Sequence, residues 1–279
     1  MTSPHAATSD TVSGVASFRE QQIRFPFDDD AARVNRALRE RQLDVVRGVP
    51  LDEWTRPSRC AGWSVHDVVR HVVQMNEVMV GVVAATRAGE RYERMRRFDP
   101  KTTPSAWLAE APATEPEETL AAFERSTRAV IDVGDALGGG VLVGSPVGLQ
   151  PWPRVVLHAL LDAVVHQRDV TEPLGRSAPA TPELLPVLAY VLLVAARVAC
   201  FADREFAVPV DLGGQVLGVA VHGAAVEVVP VGRGDLGGDA VVADPLRLLD
   251  GLTGRVPLDE VLPAPDDVRA ALGLLAPSL

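Results

Sequence analysis

The sequence predicts a two-part chain of α and α+β class, with a four-helix bundle first and a small α+β domain after it. Three observations carry this. Segments with helical apolar spacing recur up to about residue 170, and past about residue 205 short β-branched runs separated by glycines replace them. Between the two stands one apolar run, LLPVLAYVLLVAARVACF, at 184–201. The length, 279 residues, suits about two domains. The expected divisions are a disordered tail over 1–17, a helical bundle over 18–178, a bridging helix over 179–204 and a small α+β domain over 205–279.

Residues 1–17 are small and polar, the composition of a disordered terminus. From about 29 to 48, Val34, Leu38, Leu43 and Val46 fall near one helical face, with acids leading and arginines trailing as the helix macrodipole favours. Ser64 and Asp67 make a capping-box pattern ahead of a second stripe through Val68, Val69, Val72, Val73, Val80 and Val83, which gives Asp67 a sufficient structural task. The Arg- and Pro-rich segment 87–116 reads as a polar connection, and EPEETLAAFERSTRAVIDVGDAL as a third helix with Pro116 in its first turn. GGGVLVGSPVGLQPWP is a glycine- and proline-rich connection, and no GK[ST] follows it to make a phosphate loop. A fourth helix is expected over 153–170. FAVPVDL, QVLGVAVHG and AAVEVVPV are expected strands, and VVADPLRLLDGLTGR a strand entering a helix capped by Asp244 with Pro245 at its first position.

The formal charge of −10 argues against a partner that tracks phosphate backbones. Lys101 is the sole lysine, and Ala, Gly, Val and Pro abound, the usage of a GC-rich, actinobacterial type of genome. Two distant cysteines, Cys60 and Cys200, make no disulfide framework and suit a reducing cytosol. No signal peptide is evident, and Pro186 and Arg197 interrupt the apolar run below the ~18 residues a membrane span needs. A cytoplasmic protein without nucleic-acid or membrane partners is expected.

His158, Asp162 and His166 are spaced four and four on the fourth helix, each ~40° from the next and spread along ~12 Å. All three cannot hold one ion at ~2 Å, so the pair is either His158 with Asp162 or Asp162 with His166. Imidazole and carboxylate one turn apart converge on a cation as in HExxH helices, and a bundle supplies further ligands from facing helices. His71 is the candidate for that third ligand; a surface ion pair and a packed core histidine are the plainer alternatives. His66 lies at ~140° from His71 and does not share its face.

GWSVHDVVRHVV (62–73) resembles the W-x-V-x-D-[LV]-x-x-H signature of the mycothiol-dependent maleylpyruvate isomerase family, a branch of the DinB-like helical bundles, and LLDAVVHQRDV (160–170) resembles its E-x-x-V-H-x-x-D-[LV] signature. LLDGLTGR is similar to a Gly-Arg element of the family's sterol-carrier-like C-terminal domain. Carried over position by position, the resemblance implies His71, Asp162 and His166 as metal ligands, with Asp162 standing where the family has Glu, one methylene longer. It leaves His158 as a core or supporting residue. Asp169 matches the family Asp and is a candidate to hold a ligand ring, or to pair with an Arg. Arg255 is a candidate for an acidic substrate, beside the plainer reading of a cation at a helix C-terminus.

The implied cofactors are a divalent metal, zinc first and iron(II) on the same donors, and mycothiol as thiol cosubstrate. Two histidines and one carboxylate leave a coordination position open, which a thiol or water fills. Thiolate addition to a conjugated double bond, rotation and elimination give cis–trans isomerisation; displacement gives S-transfer. The expected function is therefore a metal-dependent, mycothiol-using isomerase or S-transferase acting on a small acidic or electrophilic molecule of the maleylpyruvate kind. The alternative is a non-catalytic small-ligand binder whose metal is structural or absent. Cys60, with no His or second Cys partner near it in sequence, reads as a small loop residue.

Overall fold

The computed structural model describes residues 21–95, 98–145, 148–232 and 239–275. The expected tail over 1–17 lies outside them.

The bundle comprises α1 (Ala31–Arg47), α2 (Val65–Arg87), α4 (Pro116–Val133) and α5 (Trp152–Thr171), with a short α3 (Thr103–Glu110) inserted between α2 and α4. Each of the four begins or packs as its sequence dictates. Val34, Leu38, Leu43 and Val46 of α1 are all buried. The Ser64 hydroxyl accepts from the Asp67 amide while Asp67 reaches back to the Ser64 amide, so the capping box closes in full at the start of α2. Glu115 and Glu118 close a second box ahead of Pro116 in α4. Within the bundle α1 packs on α4 and α5, and α2 on the same two helices. Burying each large aliphatic side chain there contributes roughly 1.5–3 kcal/mol.

Two segments expected as plain connections hold structure. The polar stretch 87–116 contains α3, in which only Leu108 is buried, so no apolar stripe announces it. The glycine- and proline-rich connection folds into a hairpin of β2 (Leu142–Ser145) and β3 (Gly148–Pro151), paired antiparallel. Its leucines, Leu142 and Leu149, are exposed, and a two-stranded ladder with solvated apolar residues gives no alternating signal.

α6 (Leu185–Phe201) joins the halves. It packs on α5 on one side and on β5, β6, α7 and α8 on the other, and Val187 to Ala196 are all buried. Both Val65–Arg87 and Pro182–Phe201 are long and apolar enough to cross a membrane by composition, but the second is 78% buried inside this fold, which accounts for its hydropathy without a bilayer. The C-terminal sheet runs β1-β6-β5-β4-β7, with β4 (Phe206–Asp211), β5 (Val216–His222) and β6 (Ala225–Pro230) antiparallel and β7 (Val241–Val242) parallel to β4. The outer strand β1 (Gln22–Arg24) comes from ahead of the bundle and pairs parallel with β6, so the chain enters through the sheet before building the helices. α7 (Pro245–Leu252) starts as expected, the Asp244 side chain accepting from the Arg247 amide, and α8 (Asp266–Leu272) packs on α6. One apolar core runs unbroken from the bundle through α6 to the sheet, so the two halves share an interior.

Candidate metal centre

α2 and α5 lie side by side, and each turns one histidine towards the other helix. The His71 and His166 rings meet edge to face at 4.8 Å between centroids. Asp162, one turn before His166, completes the group: its Oδ1 is 3.4 Å from His166 Nε2 and 3.9 Å from His71 Nε2. The ligand atoms of His71, Asp162 and His166 all lie within 4.8 Å of one another. Ligands of a tetrahedral zinc at ~2 Å stand roughly 3.3 Å apart, so His166 and Asp162 are already at that spacing and the His71 ring needs only a small closure. Asp162, though a methylene shorter than glutamate, reaches both imidazoles.

The histidines are held differently. His166 Nδ1 faces Asp169 Oδ2 at 3.0 Å. A carboxylate only accepts, so a proton sits on Nδ1 and the Nε2 edge is turned towards Asp162, the orientation a ligand histidine needs. His71 Nδ1 is buried and has no hydrogen-bond partner among the described residues, so packing and the Nε2 contact with Asp162 orient this ring. Trp63 supplies much of that packing, 5.2 Å from His71 and near-parallel to His166 at 6.5 Å. The short turn that delivers Trp63 closes with its amide donating to the Cys60 carbonyl, and Gly62 takes φ 81° there, a left-handed conformation that a side chain disfavours.

Burial opposes charge at all three ligand candidates, and the neighbours decide the outcome. For Asp162 the burial penalty is outweighed by His166 and then His71, which hold its carboxyl well below the usual range. For His166 burial is outweighed by Asp162, Asp169 and Cys60, which raise it well above an ordinary imidazole. Burial pushes His71 down, so of the two rings it is the one that stays neutral. A bound cation takes the place of the His166 proton in this arrangement, and the donor set of two imidazoles and a carboxylate fits zinc or iron(II).

Behind His166 lies a charged cluster that ties the halves of the chain together. Asp169, fully buried, accepts from Arg255 Nη2 at 2.9 Å and from Cys60 Sγ at 3.2 Å, with Arg59 Nε at 3.6 Å. Arg59 and Arg168 both grip Asp250 of α7, at 3.0 and 2.7 Å. Gly254, at φ 73°, makes the turn past α7 that swings Arg255 back onto α5. Arg255 donates to the Thr253 carbonyl at the C-terminal end of α7, at 2.9 Å, and it also pairs with Asp169 and lines the same cavity as the histidines.

That cavity, about 1090 Å³, lies between the bundle, α6 and the turn after α7. His71, Asp162 and His166 form part of its wall, with Trp63, Met75, Met79 and Phe98 as apolar lining. It stands at the upper end of the ~300–1,000 Å³ of small-molecule sites. His158 is apart from the trio; its Nδ1 meets the Tyr190 hydroxyl at 3.2 Å. His66 is also apart, bonded to Thr119 Oγ1 at 2.8 Å on the other face of α2. Cys60 corrects the expectation of a plain loop residue, since its sulfur is 3.2 Å from Asp169 and 3.7 Å from His166 Nδ1. Its partners come from more than a hundred residues away, beyond any local motif; only its place just before Trp63 hinted at the site.

Residues 35–171 match the family described as "Mycothiol maleylpyruvate isomerase N-terminal domain". Two solved structures share the fold: a crystal structure of the mycothiol-dependent maleylpyruvate isomerase, at TM-score 0.59 and 14% identity over 84% of this chain and 91% of that one. The second is of a histidine-to-alanine mutant under the same protein name, at TM-score 0.58 and 13% identity over the same shares. No curated protein matches the sequence.

Proposed function

Starting from a chain whose residues 35–171 belong to the mycothiol maleylpyruvate isomerase N-terminal domain family, we propose that it is a divalent-metal enzyme which uses mycothiol to isomerise, or transfer sulfur to, a small electrophilic molecule. The observation that carries this reading is the convergence of His71, Asp162 and His166 on one wall of a cavity of about 1090 Å³, with Asp169 backing the His166 ring. Zinc is the ion of choice, and iron(II) suits the same donors. When bound, the cation supplies the positive charge that favours thiolate over thiol near neutral pH.

The chain's own residues do the rest. His71, Asp162 and His166 would hold the ion at the cavity wall, where a thiol or water could reach it. Trp63 covers both rings and excludes water from that side. Arg255, fixed through Asp169, and Arg59 present cations at the cavity wall that orient an acidic substrate. Met75, Met79 and Phe98 give an adaptable apolar lining for the body of a thiol or substrate. The free thiols Cys60 and Cys200 suit the cytosolic setting in which a low-molecular-weight thiol works.

Metal analysis of purified wild type and His166→Ala tests the reading. About one zinc or iron per wild-type chain and almost none in the variant is expected, followed by a change in the visible spectrum of cobalt-substituted protein on adding mycothiol. A metal-free wild type, or a cobalt spectrum indifferent to mycothiol, leaves a small-ligand binder instead.

A further inference from the structure

On the far side of Asp162 from His166, the cavity wall carries a cation and a histidine that the metal centre does not use. Arg39 of α1 is only 2% exposed, yet it lines the cavity. Its Nη1 donates to Gln42 Oε1 at 3.2 Å and its Nη2 to the Ala159 carbonyl at 3.0 Å. Its Nε has no partner, and no carboxylate lies within ion-pair distance of it among the described residues. Burial lowers this guanidinium to about 10, with only the more distant charge of Asp162 pulling it back up. A buried charge without a counter-ion is costly, and a cavity that keeps one has a use for it.

Beside Ala159 stands His158, whose protonation a chain of hydrogen bonds decides. Arg197 Nη1 donates to Gln150 Oε1 at 3.3 Å, which fixes which end of that amide is which. The Gln150 nitrogen then donates to the Tyr190 hydroxyl at 3.0 Å. Tyr190 has no other acceptor among the described residues, so its buried hydroxyl proton goes to His158 Nδ1, at 3.2 Å. An imidazole that accepts at Nδ1 carries its own proton on Nε2, the edge away from Tyr190. Burial favours the neutral ring that this requires.

We propose that Arg39 and His158 form a carboxylate-binding site in the cavity wall, the guanidinium supplying charge and His158 Nε2–H a directed hydrogen bond. The site deepens the reading above and rests on it for taking the cavity as a substrate site: it assigns the electrophile a carboxylate that docks here, across Asp162 from Arg255. The site itself needs no metal. It also matches the lining, in which, among the described residues, Arg39, Arg59, Lys101, Arg197 and Arg255 stand against the single carboxylate of Asp162 in a chain of net charge −10.

The test uses the full chain stripped of metal with EDTA, so that a missing metal site and a missing carboxylate site are separate results. Long-range proton–nitrogen spectra of histidine-labelled protein, which has six histidines, assign the tautomer, with His158→Gln identifying the signal. Calorimetry then compares malonate with its neutral analogue malonamide. The expected result is a wild-type His158 protonated at Nε2 alone and malonate bound at least about tenfold tighter than malonamide. Arg39→Gln and His158→Phe should each weaken malonate about tenfold or more, while His158→Gln, which keeps an N–H near the Nε2 position, stays within about threefold. A ring protonated at Nδ1 overturns the proposal, as does equal binding of malonamide. So does a loss of malonate binding that appears in Arg255→Gln and not in His158→Phe. Should Arg39→Gln fail to fold, the His158 pair decides.

Discussion

Asp162 and Asp169 stand two turns apart on nearly one face of α5, seven residues of the same helix, and the fold surrounds them in opposite ways. Asp169 is sealed from solvent and its oxygens meet His166, Arg255, Cys60 and Arg59. Asp162 keeps 30% of its side chain exposed and, among the described residues, meets only imidazole nitrogens, at 3.4 and 3.9 Å. A saturated carboxylate orients and braces; one whose neighbours are themselves metal donors can share a cation with them. The difference teaches that depth of burial does not mark the acid free to hold a cation, because the more deeply buried one has its oxygens already taken up.

The sharpest way to break this contrast is at the histidine that touches both acids. His166→Ala should abolish stoichiometric zinc binding, seen by elemental analysis after dialysis, while the protein remains folded by circular dichroism. If zinc stays at about one per chain, the cavity-facing group is not the metal site.

Next in size is Asp169→Asn, which leaves the Arg255 and Arg59 guanidinia facing a neutral amide. Breaking a buried ion pair from one side costs roughly 3–5 kcal/mol, and losing the brace on a ligand ring costs about 10–100-fold in metal affinity. Urea denaturation and competitive zinc titration read the two effects. A variant as stable as wild type would mean that Asp169 does not brace the junction with α7.

pH tests the His166 proton without mutation. In metal-free protein the raised His166 contributes stability that is complete below its unfolded value of 6.5 and is lost as pH rises through the higher folded value. The depressed Asp162 and Asp169 contribute stability present above the unfolded value of 3.8 and lost in acid as pH falls through their folded values. Zinc has to displace the His166 proton, so its stabilisation should grow as pH rises from about 6 to about 8.5, opposite in sign to the metal-free trend over that range. Melting temperatures with and without zinc across that range should diverge; parallel curves would deny the exchange of proton for metal.

The smallest effect is expected at His66→Gln, on the same helix as His71 but bonded to Thr119 and packed at a tilt against Trp54. Zinc content should change by less than about twofold, and stability by about 1 kcal/mol, the worth of one hydrogen bond.

How much of this was legible in the sequence differs from residue to residue. The apolar spacing of Val34, Leu38, Leu43 and Val46, the Ser64–Asp67 cap and the β-branched runs after 205 led directly to elements that the structure contains, because helix, cap and strand are local agreements between neighbours. The hairpin at 142–151 and the helix at 103–110 escaped, since neither buries enough of itself to leave a periodic mark. From spacing alone the α5 pair stayed open between His158 and His166, and only resemblance to known motifs chose. The sequence offers Cys60 as a small loop residue and Arg255 as a cation for an acidic substrate or for a helix end, and no local spacing announces that both stand against Asp169.

By itself, then, the sequence determined which segments become helices and strands and which polar residues ride on their faces, because those outcomes follow from interactions a few residues long. Tertiary structure alone decided which of those polar residues meet. Whether a carboxylate is a brace or a free donor depends on groups brought from residues 59, 71 and 255 to one turn of α5, and contacts across such distances are set by the packing of α2, α5 and the turn after α7, not by any spacing along the chain.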